Sequence, residues 1–518
     1  MTSNSRSRRA APSAQPRLLW LAIVLTTAAA AYLLPEGGWR YPAVFLLLWV
    51  LPGLAWHRRE PAGNLVSALG LGMLLTTLLT LLLALLPGPL PQAALLAGAT
   101  LLALLAALIP HAPTETITLE RHWPVVAALA VVLLLAAFLR VTLLGYKEFQ
   151  GDEGIVLQRA AAILLGDDAQ LFRHQKGPVE ILIPLATWRL NGLLHETTAR
   201  LPFTFAGLLA IPALIVTARR WLPLSAALVA GLFLAVNGFA TAFSRIVQYQ
   251  SFVLLWGVLS LYHADVYRQK RNPGDLVLAA AFLAGGLLAH YDAVLFAPAV
   301  VWLLLPSLAR PEQRSRGAWG AALLTGLLIA GSFYLPYALS PAFSGTSRYL
   351  LQERIGGTLW SWSGGRVWQM ATLYNDTYSV VVLLLLAVAG IWQLRRQPAL
   401  LLVFAIPFLF YTVVVVDPRT HIYTLGPGVA LLAAAGFIAV WRAQKWLGAA
   451  TLGLLAVIST VYLILLFIDS TPERQRTWET NAPRLYGTTW DEPPQYGLFG
   501  FPHQAGWRLA AGLVDAFP

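Results

Sequence analysis

The sequence predicts an all-α polytopic membrane protein of about 15 transmembrane helices, each built from roughly 20 apolar residues. Three observations carry this. Apolar residues make up 58% of the 518 and charged residues only 12%, where a soluble domain carries about 25% charged residues. Long apolar runs recur from one end of the chain to the other. The Lys and Arg clusters between those runs all fall on one side when the chain is threaded back and forth.

The runs place spans near 17–34, 41–56, 64–86, 91–110 and 123–144. They continue near 201–218, 222–243, 249–267, 275–290 and 292–309, then 317–338, 377–394, 398–416, 421–441 and 446–468. The 41–56 run is short, as a tilted or re-entrant segment would be. The basic start (Arg6, Arg8, Arg9, Arg17) resembles that of a signal peptide, but no small-residue cleavage site follows, which implies a retained first helix. With the N-terminus inside, the cytoplasmic loops hold Arg58-Arg59, Arg121, Arg219-Arg220 and Arg268/Lys270/Arg271. They also hold Arg310/Arg314/Arg316, Arg395-Arg396 and Arg442/Lys445. The agreement fails if Pro178–Leu194 is a span, so that segment is expected to be a helix lying at the interface, with Trp188 as its anchor.

The formal charge of +12 follows from this positive-inside bias. No basic stretch is interleaved with aromatics, so nucleic acid is not an expected partner; membrane lipids are. Cysteine is absent, which excludes disulfides and thiolate metal sites.

Three parts are expected: a four-helix membrane extension over 1–110, a main membrane domain over 123–468, and a tail over 469–518. The tail is too short for its own core. It stops at Phe517-Pro518 in mid-pattern, as a truncated chain would. The outer side then receives a long loop over 145–200, the turns at 244–248, 290–292 and 417–420, the loop 339–376 and the tail. These segments can converge on one cavity.

The chemistry-bearing residues gather on that side. Gly151-Asp152-Glu153-Gly154 follows directly on the 123–144 span, and ionisable groups at such a place are costly and often functional. Acidic residues also favour helix starts. A cap needs only one carboxylate, and both roles can hold together. His174, Gln175 and Lys176 precede a Gly-Pro break. Lys there suits a phosphate as a point charge, although lipid headgroups are an alternative ligand. Arg245 opposes the positive-inside trend at an outer boundary, which points to an anionic partner or to snorkelling. It stands beside Tyr249 and Gln250. His290-Tyr291-Asp292 interrupts an apolar stretch, and Asp417 to Tyr423 combines a carboxylate with Arg419, His421 and Tyr423. These read as cavity lining. Arg348, Glu353, Arg354 and Arg366 read as solvated charges.

Taken in order, Asp152-Glu153, Lys176-Gly177-Pro178 and Ala199-Arg200-Leu201-Pro202 resemble the membrane glycosyltransferases of the C-type fold that use polyprenyl-phosphate sugars. These include the protein O-mannosyltransferases and the lipid A aminoarabinose transferases. The resemblance covers roughly 123–468. It implies a C-type fold with interfacial helices in the first large outer loop, and transfer of a sugar from a polyprenyl-phosphate donor to an acceptor hydroxyl. The acceptor is a glycolipid, a polysaccharide or a protein. It further implies Asp152 as the general base, with Glu153 assisting and a divalent metal ion as an optional partner of Asp152. Lys176, Arg245 and Arg419 would hold the donor phosphate. His174, Tyr249, Gln250, His290, Tyr291, Asp292, His421 and Tyr423 would line the cavity or meet the acceptor. The family subtype implies a bacterial plasma membrane with an extracytoplasmic active site.

The chain departs from the pattern at Gln250, where some relatives have Asp, and at Gln175, where some have an acidic metal ligand. Others carry Lys in the turn occupied by His290-Tyr291-Asp292. Two other functions compete. A secondary transporter would place ionisable groups near the midplane on broken helices, often with inverted repeats, and no repeat is visible. A non-catalytic partner in cell-wall polysaccharide export would need no base at Asp152.

Overall fold

A computed structural model describes residues 15–57, 65–108, 123–174, 176–309, 315–356, 360, 362–472, 498–508 and 510. Among these residues the chain is helical, with no strand. Every expected span appears as a helix. Eight helices are long and apolar enough to cross a membrane, including Leu65–Ala84, Trp123–Val141, Glu196–Ala218 and Arg316–Ala338. Shorter apolar helices fill six further places. Gln250–Lys270 fills the remaining one and is buried on nearly all sides. On the outer helices, leucines such as Leu134, Leu323, Leu327 and Leu385 are more than half exposed. Faces of that kind are stable only against lipid.

Several spans are not continuous helices, and the breaks cluster at one end. The run expected at 222–243 stops at Ala235 and restarts as the short helix Gly238–Ala242. Asn237 caps the restart by accepting the Ala240 N–H at 3.0 Å. The 292–309 span begins as a 3-10 turn, Tyr291–Phe296. The 421–441 span begins as another, Arg419–Thr424, entered through Arg419 at φ +42°. These irregular starts fall on the expected outer side. Irregular backbone at membrane depth is tolerated where it lines a cavity. Toward the opposite end of Gln250–Lys270, about 22 Å away along the axis, fully buried Asp265 binds Arg220 at 2.8 Å and Arg268 at 2.6 Å.

The N-terminal helices pack tightly together. Gly53 and Gly72 face each other so closely that a Cβ on either would meet the other segment's backbone. These helices also share one apolar core with the rest of the protein. Tyr41 Oη donates to the Thr198 carbonyl at 3.0 Å, Trp256 Nε1 to Gly70 at 3.0 Å, and His263 Nε2 meets Ser67 Oγ at 3.0 Å.

Helix Val179–Asn191 differs from its expectation. It does not lie open on an interface: eleven of its thirteen residues are buried, and only Trp188 and Arg189 reach intermediate exposure. It is apolar nearly all round, as an interior helix must be, and the N-terminal helices pack over it. Gly166, at φ +98°, follows the end of the preceding helix Gly151–Leu164.

Candidate active site

The two adjacent carboxylates have opposite surroundings. Glu153 is the third residue of helix Gly151–Leu164 and reaches back to accept the Gln150 N–H at 2.9 Å, as in a capping box. Its carboxylate also receives Arg200 Nε and Nη2, each at 2.8 Å, and the Val247 N–H at 2.9 Å. Both side chains of the pair are fully buried. Burial works to raise the Glu153 pKa, but the Arg200 guanidinium outweighs it and holds the carboxyl below its usual range. Arg200 spends its remaining donors on the carbonyls of Leu144, Lys147 and Glu148 at 2.8–3.0 Å. The pair therefore clamps loop 144–150, the helix start and the 244–248 turn together. Both Glu153 carboxylate oxygens are engaged by donors of the protein.

Asp152 points the other way, and its side chain is 46% exposed. Its Oδ2 lies 3.9 Å from Lys176 Nζ and 3.4 Å from Gln248 Nε2. Lys176 reaches it because Gly177 passes directly against the Leu288 carbonyl, where a Cβ would collide. Lys176 Nζ is also 3.6 Å from Glu180 Oε1 and 5.1 Å above the Tyr249 ring. Glu180 is fully buried and hydrogen-bonded to His174. Burial works to raise the Glu180 pKa, yet Lys176 and His174 outweigh it and hold the carboxyl at about 2. Burial lowers the His174 pKa, and Lys176 brings a positive charge to within 3.6 Å of Glu180. Sequence reading passed over Glu180 as one more charge on an interfacial helix. Its i,i+4 spacing from Lys176 was the available signal. Gln175 lies outside the described residues.

The outer turns meet beside Lys176. Tyr249 stacks on His290 with ring centroids 3.9 Å apart. His421 Nδ1 lies 2.7 Å from Asp292 Oδ2, and Arg354 Nη2 donates to His421 Nε2 at 2.7 Å. His290 Nδ1 accepts the Asp292 N–H at 3.1 Å. Tyr291 lies beside His290, and Tyr423 packs edge-on to Tyr249. His174, Tyr249, His290, Tyr291, Asp292, His421 and Tyr423 are thus brought together. Buried Gln250 stands next to Tyr249 at the helix start. Arg354 differs from its expectation, being bonded to His421 and to the Asp417 carbonyl at 2.8 Å. Nothing local in the sequence signals that contact.

Two expected phosphate ligands are engaged elsewhere. Arg245 is buried and donates to the Leu139 and Thr142 carbonyls at 2.9 and 2.8 Å, closing the C-terminal end of helix Trp123–Val141. Arg140 does the same for helix Leu224–Ala235 through the Ala235 carbonyl at 2.8 Å. Such carbonyls lack helical partners, and a buried cation satisfies them well. Arg419 is 63% exposed and pairs with Asp417 at 2.8 Å.

Asp152 is faced by the Lys176 ammonium and the Gln248 amide. His290, Asp292 and His421 do offer a donor set: their ligand atoms lie within 4.8 Å of one another, and all three residues are buried. Two imidazoles and a carboxylate suit a divalent ion such as zinc.

Two cavities flank these groups. An apolar groove of about 280 Å³ runs among Trp362, Trp368, Phe404, Phe408 and Leu425, and Tyr423 is on its wall. A polar cavity of about 410 Å³ lies between Lys147–Asp152 and the tail segment around His503.

Residues 176–337 match the family model described as dolichyl-phosphate-mannose-protein mannosyltransferase. Among solved structures, the chain is similar to ArnT from Cupriavidus metallidurans bound to undecaprenyl phosphate. Identity there is 19% over 68% of this chain and 67% of that chain, with a TM-score of 0.47. It is also similar to the archaeal oligosaccharyltransferase AglB from Archaeoglobus fulgidus, solved with an inhibitory peptide and a dolichol-phosphate. Identity there is 13% over 75% of this chain and 62% of that chain, with a TM-score of 0.46. The chain thus spans about two thirds or less of the length of these structures. No curated protein matches it.

Proposed function

We propose that the protein is an integral membrane glycosyltransferase. It moves a sugar from a polyprenyl-phosphate donor to an acceptor hydroxyl on the extracytoplasmic face of a bacterial plasma membrane. The observation that carries this is the placement of Asp152: a half-exposed carboxylate between Lys176 and an open polar cavity. The match over 176–337 to a family described by a lipid-phosphate-linked sugar supports the donor class.

Asp152 accepts the proton of the acceptor hydroxyl as its oxygen attacks the anomeric carbon. The bond from that carbon to the phosphate oxygen breaks, and polyprenyl phosphate leaves with the electron pair. Lys176, fixed by Glu180, and Arg354, fixed by His421, offset the charge that develops on the leaving group. The apolar groove beside Tyr423 suits the polyprenyl tail, and the turns at 290–292 and 419–424 separate it from the reacting end. Where a divalent ion takes part, His290, Asp292 and His421 would hold it, and it would supply Lewis-acid stabilisation of a phosphate oxygen.

The test uses the purified chain in proteoliposomes with polyprenyl-phosphate sugar. Release of polyprenyl phosphate is expected from the wild type and not from Asp152→Asn. Undiminished release by that variant contradicts the assignment. Solute uptake into vesicles free of lipid-linked sugar would point to a transporter.

A further inference from the structure

The polar cavity on the far side of Asp152 from Lys176 is walled by two segments more than 340 residues apart in sequence. One wall is the loop and helix start, Lys147 to Asp152. The other is the tail, with Phe501, His503, Ala505 and Trp507. The tail is stapled in place. Leu498 and Phe501 insert into the core. The Glu148 carboxylate receives the Ala505 N–H at 2.7 Å and the Arg508 N–H at 3.1 Å. Arg508 in turn binds Glu196 at 2.8 Å and the Gly145 carbonyl at 2.6 Å, and Gln504 donates to the Tyr146 carbonyl at 3.2 Å. Glu148 thus joins the tail to the loop that Arg200 clamps from beneath.

Lys147 is the informative wall residue. It is only 9% exposed and lines the cavity. Burial pushes the Lys147 ammonium down to about 7, against the pull of Glu153. An amine near neutrality can both donate and accept, which suits hydroxyl groups. The cavity wall carries two carboxylates, Glu148 and Asp152, which disfavour an anionic occupant. Trp507 is 69% exposed at its edge and offers an aromatic face. The volume of about 410 Å³ falls within the range of small-ligand sites, roughly 300–1,000 Å³.

We propose that this cavity is the acceptor subsite and that it takes the terminal sugar of a saccharide acceptor, on a glycolipid or a polysaccharide. Lys147 and Gln150 bind the sugar's hydroxyls, Trp507 covers its face, and one hydroxyl is presented to Asp152. This rests on the transferase reading. In that reading donor and acceptor approach Asp152 from opposite sides, and the tail, one of the outer segments expected to converge on a cavity, completes the active site.

The chain has no cysteine, so one introduced thiol reports on the cavity without background. Ala505→Cys places it on the wall, and Ser344→Cys in the 339–376 loop serves as control. Both are made in the full chain, in proteoliposomes carrying polyprenyl-phosphate sugar and the total glycolipid fraction of the native membrane. A bulky maleimide on residue 505 is expected to lower sugar transfer to glycolipid about 10-fold relative to the same variant unlabelled, while release of polyprenyl phosphate to water changes less than about twofold. The same label on residue 344 is expected to change neither. Glycolipid liposomes are expected to slow labelling at 505 roughly threefold, and phospholipid liposomes are not. Lys147→Met gives a second readout: a raised KM for the acceptor with the donor KM unmoved.

Unchanged transfer after labelling at 505 overturns the proposal. So does protection by a Ser/Thr-rich peptide without protection by glycolipid. Failure of the transferase reading is distinguishable: the unlabelled wild type would release no polyprenyl phosphate, whereas protection at 505 needs no turnover.

Discussion

The peptide bond between residues 152 and 153 separates two regions built on different principles. On one side lies an open trough, where Asp152 stands 3.9 Å from Lys176 and 3.4 Å from buried Gln248, and the Asp152 and Lys176 side chains reach solvent. On the other lies a sealed clamp, where Glu153 and Arg200 meet at 2.8 Å with neither side chain exposed. Consecutive residues on a helix point about 100° apart, so one helix start can serve both regions. The loose contacts are where an incoming group can still be bound. The tight ones are already saturated and can only hold. A carboxylate pair that looks like a catalytic dyad in sequence is here one reactive group and one fastener.

The largest effect expected to test this contrast is on turnover. Asp152→Asn should lower sugar transfer by roughly 10²–10⁴-fold, while stability stays within about 0.5 kcal/mol, as for an exposed site. Next come two cations that the sequence treated alike. Lys176→Met should lower kcat/KM by roughly 10²–10³-fold, read with lipid-linked sugar as the varied substrate. Arg245→Met should leave the donor KM unchanged and lower stability by about 1–3 kcal/mol, because two buried carbonyls lose their donor.

Within the clamp, Glu153→Gln strands the buried Arg200 charge. It should cost about 3–5 kcal/mol in detergent unfolding, with activity per folded molecule retained to a much greater degree than in Asp152→Asn.

The trough's own support should show in pH dependence. The Glu180 carboxyl is depressed from 4.5 to about 2, so its stabilising contribution is complete above about pH 4.5 and fades as pH falls toward 2. The stability difference between wild type and Glu180→Gln should therefore be flat from about pH 7 to 5 and shrink only below that. A difference that closes near neutral pH would detach Glu180 from Lys176. Finally, divalent metal bound by the purified protein, measured by elemental analysis, should be lost in His421→Ala and kept in Asp152→Asn. The reverse pattern would return the metal to the acidic pair.

Much of the fold was legible because lipid imposes a simple demand. A span needs an apolar run of fixed length, and each such run is helical over its described residues, although 41–56 and 222–243 are divided into shorter helices. The break at Asn237 within the 222–243 run was less legible, because the sequence is apolar on either side. The site was legible where chain order carries meaning: Lys176-Gly177-Pro178 works because Gly177 lets the chain pass the Leu288 backbone. It was not legible where a charge selects its partner across the fold. Arg245 on helix-end carbonyls and Arg354 on His421 are indistinguishable in sequence from phosphate-binding or solvated arginines. Val179–Asn191 misled for a related reason: whether a short apolar helix meets lipid or protein depends on the N-terminal helices that cover it. The role of the tail depends on Glu148 reaching the Ala505 and Arg508 N–H groups, a contact with no local signature.

The most direct test measures release of polyprenyl phosphate per folded molecule for Asp152→Asn and Glu153→Gln side by side, with folded protein counted from the unfolding curve of each. The account predicts that Asp152→Asn is folded and inactive, while Glu153→Gln unfolds more readily yet turns over donor in proportion to its folded fraction. Equal loss of turnover per folded molecule in both variants would contradict it.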